Sequence, residues 1–569
     1  MLTLGIQFGS HDTSAALVKD GEILAVMEQE RFDHIKHTVS FPLDAVKYCL
    51  EAGKIGFENL DYIAYAGDPE LTNVYKKAFI ESRVSTIFVP TLSNRAQMEL
   101  RIRANLREIS PAADKVALFS VDHHKSHAAS SLYVSPFDEA AIFTVDGMGN
   151  WLTTTFSMGR ANQIEHLGEI AHPHSLGLMY GAFTQYLGFR AACDEAKVMG
   201  LAAYGKPTFL EDLREICFYE GGTIRLNLEY FTFHDQPLMQ PDGNFNRWFS
   251  DAMVQRFGPV RLPESPLTQR DQDMAHSIQV LLEECCFQLL NDLYERTQCE
   301  NLCLAGGVAL NSSMNGKIID HTPFRRIFIV PAANDAGLSL GAALHCNALN
   351  SQNFKRRELI HAYYGSEHTE DEILVELKKL SAEIDVSKPE NLAEAAADLL
   401  CQFQIVGWYQ GRMEFGPRAL GNRSILANPT RSDTKDIVNM KVKFRENFRP
   451  FAPVVPHEFV GEYFEAKQEM PFMLKVVQVK PDKWSVIPAV THVDHSARVQ
   501  AVSAQQNELL YELLHAMKRK NGVPVLLNTS FNIRGDTIVR TPFDAVHCFL
   551  NTGMNALAIG PYLLKKKKS

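Results

Sequence analysis

Apolar, strand-forming stretches at the start of the chain predict a β-hairpin. LTLGIQFG and SAALVKDGEILAVMEQE are rich in strand-forming residues, and Asp20-Gly21 stands at a two-residue turn. The polar loop GSHDTS (9–14) separates the first two strands. Small residues in such a loop let backbone N–H groups approach an anion, although many hairpins have polar tips that bind nothing.

A second buried strand, AAIFTVDGMGN (140–150), is predicted to end at Asp146, followed by Gly147 and Gly149. An acidic residue after a strand commonly caps or turns the chain. The same position is where ligands collect in α/β sheets. Both interpretations stay open from this segment alone.

Helical spacing of apolar residues predicts a long core helix over 267–296. A short strand and Gly306-Gly307 follow it, and a second helix opens near Val308. Paired glycines at such a junction permit close approach to a nucleotide, or they form a plain strand-to-helix turn. A third junction, IFIVPAANDAGLSLGAALH (327–345), places Asp335 after its strand.

The composition changes after the polar stretch LNSQNFKRRE (349–358), where we predict a domain boundary. Between Val406 and Phe451 there are nine Lys and Arg against four Asp and Glu, inside a chain of net charge −10. Arginines interleaved with Gly, Pro and Phe favour fixed guanidinium groups over a solvated face. One cationic segment in an acidic protein suits a small polyanion better than DNA.

Other features of the chain exclude several classes of protein. It has no apolar run of about 18 residues and no secretory segment at its start, so we expect neither membrane association nor secretion. Ten cysteines without a CxxC pair are expected to be reduced thiols in the cytoplasm. The acidic net charge argues against a nucleic-acid partner.

The stretch VDHHKSHAASS (121–131) contains His123 and His127, four positions apart. On a helix this spacing puts two imidazoles on one face, where both can reach one cation. Two surface histidines would give the same pattern. The stretch alone therefore leaves a metal-binding pair and plain surface residues open.

Motifs along essentially the whole chain resemble those of the O-carbamoyltransferases that act on antibiotics and nodulation factors. Their number and order make the resemblance specific. The motifs are HDTSAAL (11–17), EQERFDHIKH (28–37), HHKSHAA (123–129), VDGMG (145–149), KVMGLAAYG (197–205), GGVALN (306–311), ANDAG (333–337), GRMEFGPRALGNRS (411–424), KFRENFRPFAP (443–453), ARVQ (497–500) and NTSFN (528–532).

This resemblance implies an α/β protein in which residues 1–350 form a two-lobed, actin-like (ASKHA) carbamoyl-transfer domain. The implied metal is Fe²⁺, with Mn²⁺ and Zn²⁺ as alternatives for a set of imidazole and carboxylate ligands. Its ligands would be His123, His127, Asp146 and Asp335. The nucleotide would lie against Gly147, Gly306, Gly307 and Asn311.

His11 is the expected catalytic base, because an alcohol acceptor must lose a proton and imidazole can take one near neutral pH. The alternative for His11 is a loop histidine that only hydrogen-bonds phosphate.

Residues 355–569 are implied to form an α/β domain resembling the threonylcarbamoyl-adenylate synthases. There carbamoyl phosphate and ATP, with Mg²⁺, would give carbamoyl-adenylate, and the carbamoyl group would pass to a hydroxyl of a small natural-product acceptor. The phosphates and the carbamoyl group would be held by Lys36, Arg418, Lys443, Arg449, Arg498, Asn528 and Ser530, with Arg412 and Arg423 as second candidates.

Three other functions remain as alternatives. An actin-like sugar kinase or ATPase fits the glycine loops but needs neither the histidine stretch nor the arginine-rich segment. A threonylcarbamoyl transferase acting on tRNA fits poorly with the acidic charge, and a non-catalytic repressor would need a basic recognition helix. The identity of the acceptor is left open, as is a homodimeric assembly.

Overall fold

The computed structural model describes residues 1–81, 94–240, 245–380 and 382–567, and the chain forms two compact units. Unit 1 contains residues 1–25 and 39–358, and unit 2 contains residues 26–38 and 359–569. The main division lies near the boundary predicted at 350–355. Residues 26–38, which include Lys36 and helix α1 (Glu30–Asp33), belong to unit 2, although the sequence analysis placed them in the N-terminal domain.

The first sheet of unit 1 begins with the predicted hairpin. Its turn residues Asp20 and Gly21 both have positive φ, 48° and 89°, which suits a two-residue hairpin turn. The strand order is β3-β2-β1-β4-β5, with β1 antiparallel to β2 and parallel to β4, and β4 parallel to β5. The strands are β1 (Leu2–Gln7), β2 (Ser14–Lys19), β3 (Glu22–Glu28), β4 (Tyr62–Ala66) and β5 (Ala117–Val121).

The second sheet repeats this arrangement later in the chain. The new strands are β6 (Glu139–Gly149), β7 (Leu152–Arg160), β8 (Gln163–Ala171), the separate hairpin β9 (Cys217–Glu220) and β10 (Thr223–Leu226), then β11 (Asn301–Ala305) and β12 (Arg326–Ile329). The sheet order is β12-β11-β6-β7-β8, with β6 antiparallel to β7 and parallel to β11. A first strand with a hairpin on one side and parallel strands on the other thus occurs twice. This duplicated topology is that of the actin-like fold, so the predicted fold class is confirmed.

Helices surround these two sheets, and the predicted long helix is confirmed as α10, which has 29 residues and begins at a capping box of Thr268 and Asp271. No helix in the described ranges is long and apolar enough to cross a membrane. The helices are α2 (Leu43–Gly53), α3 (Pro69–Glu81), α4 (Arg95–Leu106), α5 (His123–Leu132), α6 (Leu176–Tyr186), α7 (Glu195–Ala202), α8 (Leu210–Arg214), α9 (Asp251–Phe257), α10 (Gln269–Thr297), α11 (Ser312–His321) and α12 (Leu338–Asn350).

Helix α12 packs closely against both α5 and β1, because it carries small residues at the contacts. A Cβ on Gly341 would lie 1.8 Å from the carbonyl oxygen of Ser126 on α5. A Cβ on Gly5 of β1 would lie 1.9 Å from the carbonyl oxygen of Ser339 on α12. This close packing fixes the position of α5, which carries the histidine stretch.

Unit 2 is built on an eight-stranded mixed sheet, so its predicted α/β class is confirmed. The strands are β13 (Ile384–Ser387), β14 (Val406–Tyr409), β15 (Arg423–Ala427), β16 (Ala452–Pro456), β17 (Val476–Gln478), β18 (Ser496–Arg498), β19 (Gln500–Val502), β20 (Leu526–Ser530), β21 (Ala556–Ile559) and β22 (Tyr562–Lys566). The eight-stranded sheet has the order β13-β22-β21-β14-β15-β20-β16-β19, and β17 and β18 form a separate two-stranded antiparallel sheet.

One face of this sheet forms a core with Trp408, Leu526 and the apolar sides of two helices, α14 and α17, and the other face forms a second core. The helices are α13 (Glu370–Lys379), α14 (Leu392–Cys401), α15 (Thr434–Val438), α16 (Val460–Tyr463), α17 (Glu508–Asn521) and α18 (Pro542–Leu550), with a short π-helix over Asn439–Lys443.

Candidate metal and anion sites

Two successive turns of α5 present the predicted histidine pair to one point in unit 1. The ring centroids of His123 and His127 lie 4.8 Å apart, and both side chains are buried. The backbone N–H of His123 donates to Asn150 Oδ1 at 2.7 Å, which ties the start of the helix to the end of β6. Gly149 lies against the His123 ring, because a Cβ at Gly149 would come within 2.0 Å of it.

Asp146 and Asp335 complete a cluster with these histidines. His123 Nε2 is 3.1 Å from Asp146 Oδ2 and 3.7 Å from Asp335 Oδ1. His127 Nε2 is 3.4 Å and 3.6 Å from the same two oxygens. One ligand atom from each of the four residues lies within 4.8 Å of all the others. The structure therefore brings the four predicted ligand residues together.

The strand that carries Asp146 differs from the prediction. Strand β6 continues to Gly149 and does not end at Asp146, and its pairing with β7 is irregular between Val145 and Gly149. Asp335 lies in the short 3₁₀ turn Asp335–Gly337 before α12, as expected for a strand-to-helix junction. Asp146 thus lies within an irregular stretch of β6.

The geometry of the cluster fits a divalent cation. Zinc–ligand distances of about 2.0–2.2 Å put neighbouring ligands about 3–4 Å apart, which is the spacing found here. His127 is fully buried, and neither of its ring nitrogens makes a hydrogen bond within the described part of the chain. Buried polar atoms normally have a partner, so a cation would satisfy an otherwise uncompensated imidazole.

The carboxylates and imidazoles of the cluster shift one another's pKa values in opposite directions. Burial lowers the pKa of His127, but the Asp146 and Asp335 carboxylates outweigh burial and raise this pKa to about 9. Burial raises the pKa of Asp146, but His123 and His127 hold it well below its usual value. Ionised carboxylates can bind a divalent cation directly. The same cation would displace the proton from each imidazole that binds it.

The GSHDTS loop brings the hydroxyl of Ser10 and the imidazole of His11 near the same cluster. Ser10 Oγ donates to Asp335 Oδ2 at 2.8 Å, and His11 Nδ1 lies 2.9 Å from Asp12 Oδ2. Burial lowers the pKa of His11, but Asp12 and the two cluster carboxylates raise it to about 10. The sequence analysis missed Ser10 and Asp12, although their position in the same loop as His11 was the available signal.

The glycine turn at 306–307 lies directly against Asp146. Gly306 has φ +97°, and a Cβ there would come within 2.2 Å of the Val145 carbonyl oxygen. The backbone N–H of Gly307 donates to Asp146 Oδ1 at 2.9 Å. Asp146 Oδ1 thus accepts from the glycine turn, and Oδ2 faces the two histidines. Gly147, the next residue in the chain, therefore lies close to the same turn.

Asn311, also predicted to bind the nucleotide, has its amide engaged inside unit 1. Its Nδ2 donates to Gln279 Oε1 at 2.9 Å, and its Oδ1 accepts from Gln279 Nε2 at 3.0 Å. The same Oδ1 accepts from Met314 N at 3.0 Å and so caps α11. Asn311 therefore positions the end of the glycine turn, and its nucleotide contact stays a prediction.

Two partly buried arginines of unit 2 have no partner among the residues that the structure describes there. Burial and, to a smaller extent, the nearby Arg449 together lower the pKa of Arg418 to about 10. Burial lowers the pKa of Arg498 well below its usual value, and repulsion from Arg418, Arg445 and Arg449 adds to this. Neighbouring guanidinium groups without a carboxylate are stabilised by a bound anion.

Lys443 is buried near these arginines, but all of its N–H donors already make hydrogen bonds within unit 2. Its ammonium donates to Ser530 O at 2.8 Å, to Asn532 O at 2.9 Å and to Asn532 Oδ1 at 2.6 Å. An ammonium has three N–H donors, so these contacts use all of them. Lys443 thus holds the end of β20, which carries Asn528 and Ser530, and it adds positive charge at that place.

Lys36 and Arg449 lie near each other in unit 2. Burial lowers the pKa of Lys36, Glu30 raises it, and Arg449 lowers it further. Arg449 Nη1 is 3.8 Å from Glu446 Oε2. The cationic residues predicted in the first and last parts of the chain therefore share one unit.

The second candidates, Arg412 and Arg423, donate to backbone carbonyls. Arg423 is fully buried, lies 3.7 Å from the centroid of the Tyr409 ring, and donates to four carbonyl oxygens, including Ser366 O at 3.1 Å. Arg412 Nη2 donates to Tyr364 O at 2.7 Å, and its Nε donates to Gly365 O at 3.2 Å. These contacts make both residues supports of the backbone, and their phosphate contact stays a prediction.

Arg445 was not singled out from the sequence, although it lies in the KFRENFRPFAP motif. Its Nε donates to Asn439 Oδ1 at 3.0 Å. Burial lowers its pKa to about 9, with Arg449 adding to the decrease. Arg445 therefore belongs to the same group of crowded cations as Arg418 and Arg498.

Unit 1 thus combines an actin-like fold with a buried cluster of imidazoles and carboxylates, and unit 2 carries a group of crowded cations. Residues 2–344 match the family model for the carbamoyltransferase N-terminus, and residues 397–566 match the model for the carbamoyltransferase C-terminus. The chain belongs to the carbamoyltransferase family, and it is an enzyme that transfers carbamoyl groups.

Relatives match this chain over nearly its full length. The protein sll1178 of Synechocystis sp. is 41% identical over 99% of this chain and 96% of that protein. Nodulation protein NolNO of Sinorhizobium fredii is 37% identical over 98% of this chain and 79% of that protein. The 3'-hydroxymethylcephem-O-carbamoyltransferase of Amycolatopsis lactamdurans is 26% identical over 97% of this chain and 96% of that enzyme.

Likeness to solved structures is weaker. Component A of (R)-2-hydroxyglutaryl-CoA dehydratase from Acidaminococcus fermentans matches 62% of this chain and 100% of that chain, with 13% identity and a TM-score of 0.33. A likeness at this level supports no conclusion about function.

Proposed function

We propose that this protein is an ATP-dependent O-carbamoyltransferase that works in two half-reactions, one in each unit. Unit 2 makes carbamoyl-adenylate from carbamoyl phosphate and Mg²⁺–ATP. Unit 1 moves the carbamoyl group to a hydroxyl of a small acceptor. Family membership favours this function over a sugar kinase, a tRNA-modifying transferase or a repressor.

The first half-reaction brings together two polyanions. Water cleaves carbamoyl phosphate to carbamate and phosphate, and a carbamate oxygen then attacks the α-phosphorus of ATP, so that pyrophosphate leaves and carbamoyl-adenylate remains. Reactants of the same charge repel, and fixed cations offset this repulsion as well as the charge that develops during transfer. Arg418, Arg449 and Arg498 are our choice for these cations, with Lys36 and Ser530 beside them.

The second half-reaction takes place at the histidine–aspartate cluster of unit 1. His123, His127, Asp146 and Asp335 would hold a divalent cation, Fe²⁺ first and Mn²⁺ or Zn²⁺ as alternatives, which supplies Lewis acidity toward the carbamoyl carbonyl and the AMP phosphate. The acceptor oxygen attacks the carbamoyl carbon, its proton goes to a base, and AMP leaves. The backbone of Gly306 and Gly307 is our choice for the adenosine contact, because it leaves room for close approach.

His11 remains our choice for the base. Its pKa of about 10 reflects three nearby carboxylates, and the base form requires that part of their charge be neutralised. A cation held by Asp146 and Asp335 would neutralise two of the three. Asp12 would then orient the imidazole through its contact with Nδ1.

The observation that carries the proposal is the pair of arginines, Arg418 and Arg498, that have no partner in the described part of unit 2 and lie among further cations, with burial and then Arg418 lowering the pKa of Arg498. Such a pair is unfavourable unless an anion binds there. A kinase acting only through the actin-like unit would not require it.

Carbamoyl-phosphate-dependent pyrophosphate release from ATP tests this proposal. We expect release by the wild-type protein and a decrease of more than about 100-fold in Arg498→Ala, because one arm of the anion site is lost. Arg431→Ala is the matched control, since Arg431 lies in the same basic segment but pairs with Asp433 on the surface. Normal release by Arg498→Ala, or no release by the wild type, would contradict the proposal.

A further inference from the structure

Asn528 carries a buried acceptor that no donor of the described chain satisfies. The residue is 1% exposed, and its Oδ1 has no hydrogen-bond partner in the described ranges. Buried amide oxygens nearly always accept a hydrogen bond, and leaving one without a donor is unfavourable. A donor from a bound molecule would complete this position.

A chain of two hydrogen bonds, anchored at a backbone carbonyl, fixes the orientation of the Asn528 amide and therefore the position of Oδ1. Gln500 Nε2 donates to Leu420 O at 2.6 Å, so Gln500 Oε1 faces the other way and accepts from Asn528 Nδ2 at 2.8 Å. A backbone carbonyl can only accept. Rotating either amide by 180° would therefore put two donors or two acceptors face to face, and Oδ1 is the atom that Asn528 is left to present.

The sheet register explains why these two amides meet. Asn528 on β20 lies opposite Ala452 of β16, and Gln500 on β19 lies opposite Val454 of the same strand. Residues opposite each other, and residues two apart in one strand, share a face of the sheet. The two amides therefore lie on one face with β16 between them, and the small side chain of Ala452 leaves room for their contact.

Neighbouring positions in the chain connect this amide pair to the cations of unit 2. Ser530 follows Asn528 by two positions in β20 and is hydrogen-bonded to Lys443. Arg498 ends β18 two positions before Gln500. The oriented amide is thus placed near a group of side chains in which arginines and lysines predominate.

Carbamoyl phosphate needs one acceptor in a site rich in donors. Its phosphate and carbonyl oxygens accept hydrogen bonds, and its NH₂ group is the part that donates. Arginine and lysine side chains cannot accept from it. Asn528 Oδ1 is an acceptor of the right polarity, and its direction is fixed in advance.

We propose that Gln500 is a positioning residue that fixes the amide of Asn528 so that Oδ1 accepts from the carbamoyl NH₂, and that this pair selects carbamoyl phosphate over acyl phosphates that lack N–H groups. The inference rests on the proposed function, because it assumes that carbamoyl phosphate binds in unit 2. Acetyl phosphate is the matched probe, since a methyl group replaces NH₂ while the phosphate is unchanged. A methyl group would leave Oδ1 unsatisfied.

The test is the ratio of the Kd for acetyl phosphate to the Kd for carbamoyl phosphate, measured by titration calorimetry on the full chain without ATP. We expect wild-type protein to favour carbamoyl phosphate and Gln500→Leu to lose about 10-fold of this preference, because the Asn528 amide becomes free to turn. Arg431→Ala is the control, because Arg431 pairs with Asp433 on the surface, and it should keep the wild-type ratio.

A double-mutant cycle separates positioning from a general structural effect. Asn528→Ala should lose the preference by itself, and adding Gln500→Leu to it should change the ratio no further. A wild-type ratio in Gln500→Leu or in Asn528→Ala, or a further loss in the double variant, would overturn the inference. If Gln500→Leu does not fold, Asn528→Ala still decides whether the amide selects the ligand.

Pyrophosphate release keeps this inference distinct from the proposed function. Release with carbamoyl phosphate and an unchanged Kd ratio in the variants would refute the role of Gln500 alone. Absence of release together with the expected ratios would refute adenylate formation and leave the recognition of the NH₂ group standing.

Discussion

His124 and His127 lie three positions apart on α5, and both are buried, yet their surroundings differ. His124 Nδ1 lies 2.7 Å from Thr144 Oγ1, and burial lowers the pKa of His124 to about 3. His127 faces two carboxylates, and its pKa is raised. The same contrast separates Arg423, which donates to backbone carbonyls, from Arg418, which has no partner in the described residues. Residue type alone does not distinguish these roles, because the partner decides them.

The metal assignment predicts a clear difference between the two histidines. His127→Ala should lower the affinity for a divalent cation by more than about 100-fold, because one ligand is removed and the carboxylates lose their counterpart. Elemental analysis of the purified protein after dialysis checks this. His124→Asn is the control, since the asparagine amide can keep the contact with Thr144, and it should retain the metal. Equal metal content in wild type and His127→Ala would refute the ligand assignment.

His11 offers a test that separates the two half-reactions. His11→Asn should lower carbamoyl transfer to an acceptor by about 10²–10⁴-fold, as expected for loss of a general base, and leave pyrophosphate release intact. Intact-mass analysis of the acceptor and a pyrophosphate assay on the same sample measure both. Loss of pyrophosphate release as well would mean that His11 has a structural role or a role shared by both steps.

Helix packing determines the position of the histidine–aspartate cluster. Helix α12 supports α5 through glycine contacts, and the turn before α12 carries Asp335. A shift of α12 would therefore move ligands from two parts of the chain at once. Small residues are required at these contacts because packed interiors have no space for an added carbon.

Gly341→Val tests this packing. The added side chain would overlap the Ser126 carbonyl, so we expect a loss of about 1–3 kcal/mol in the free energy of unfolding of unit 1, and weaker metal binding. Chemical denaturation followed by near-UV circular dichroism measures the loss. Gly461→Ala is the control, because a Cβ there meets nothing within 4 Å and Gly461 lies in a helix, where alanine is favoured. Unchanged stability in Gly341→Val would contradict the close packing.

Each unit carries its own chemistry, which makes the chain a two-step enzyme in our proposal. Unit 2 supplies crowded cations for two anionic reactants, and unit 1 supplies carboxylates and imidazoles for a cation. A mixed anhydride of a carbamate with AMP reacts with water, so it should be consumed before it can diffuse far.

Mixing two blocked variants tests the fate of the intermediate. Equal amounts of Arg498→Ala, unable to make the adenylate, and His11→Asn, unable to transfer it, should restore less than about 10% of the wild-type rate of acceptor carbamoylation. Wild-type protein at half concentration, which should give half the rate, is the control. Full restoration in the mixture would mean that carbamoyl-adenylate leaves one molecule and is captured by another.

Local features of the chain were predictable from the sequence. The hairpin at Asp20-Gly21, the helix over 267–296 and the excess of cations after Val406 depend on short stretches, in which spacing and turn chemistry act on neighbouring residues. The motifs of the family further implied that His123, His127, Asp146 and Asp335 would meet.

Only the tertiary structure decided which of these residues have partners. Ser10 contacts Asp335 from 325 positions away, and residues 26–38 belong to unit 2. Lys443 donates to Ser530 and Asn532, and Gln500 fixes the orientation of the Asn528 amide. A side chain's charge and orientation depend on the groups that surround it in space, and strands distant in sequence provide those groups. A pattern read along the chain therefore identifies the residues that can act, whereas packing determines which of them remain available to a ligand.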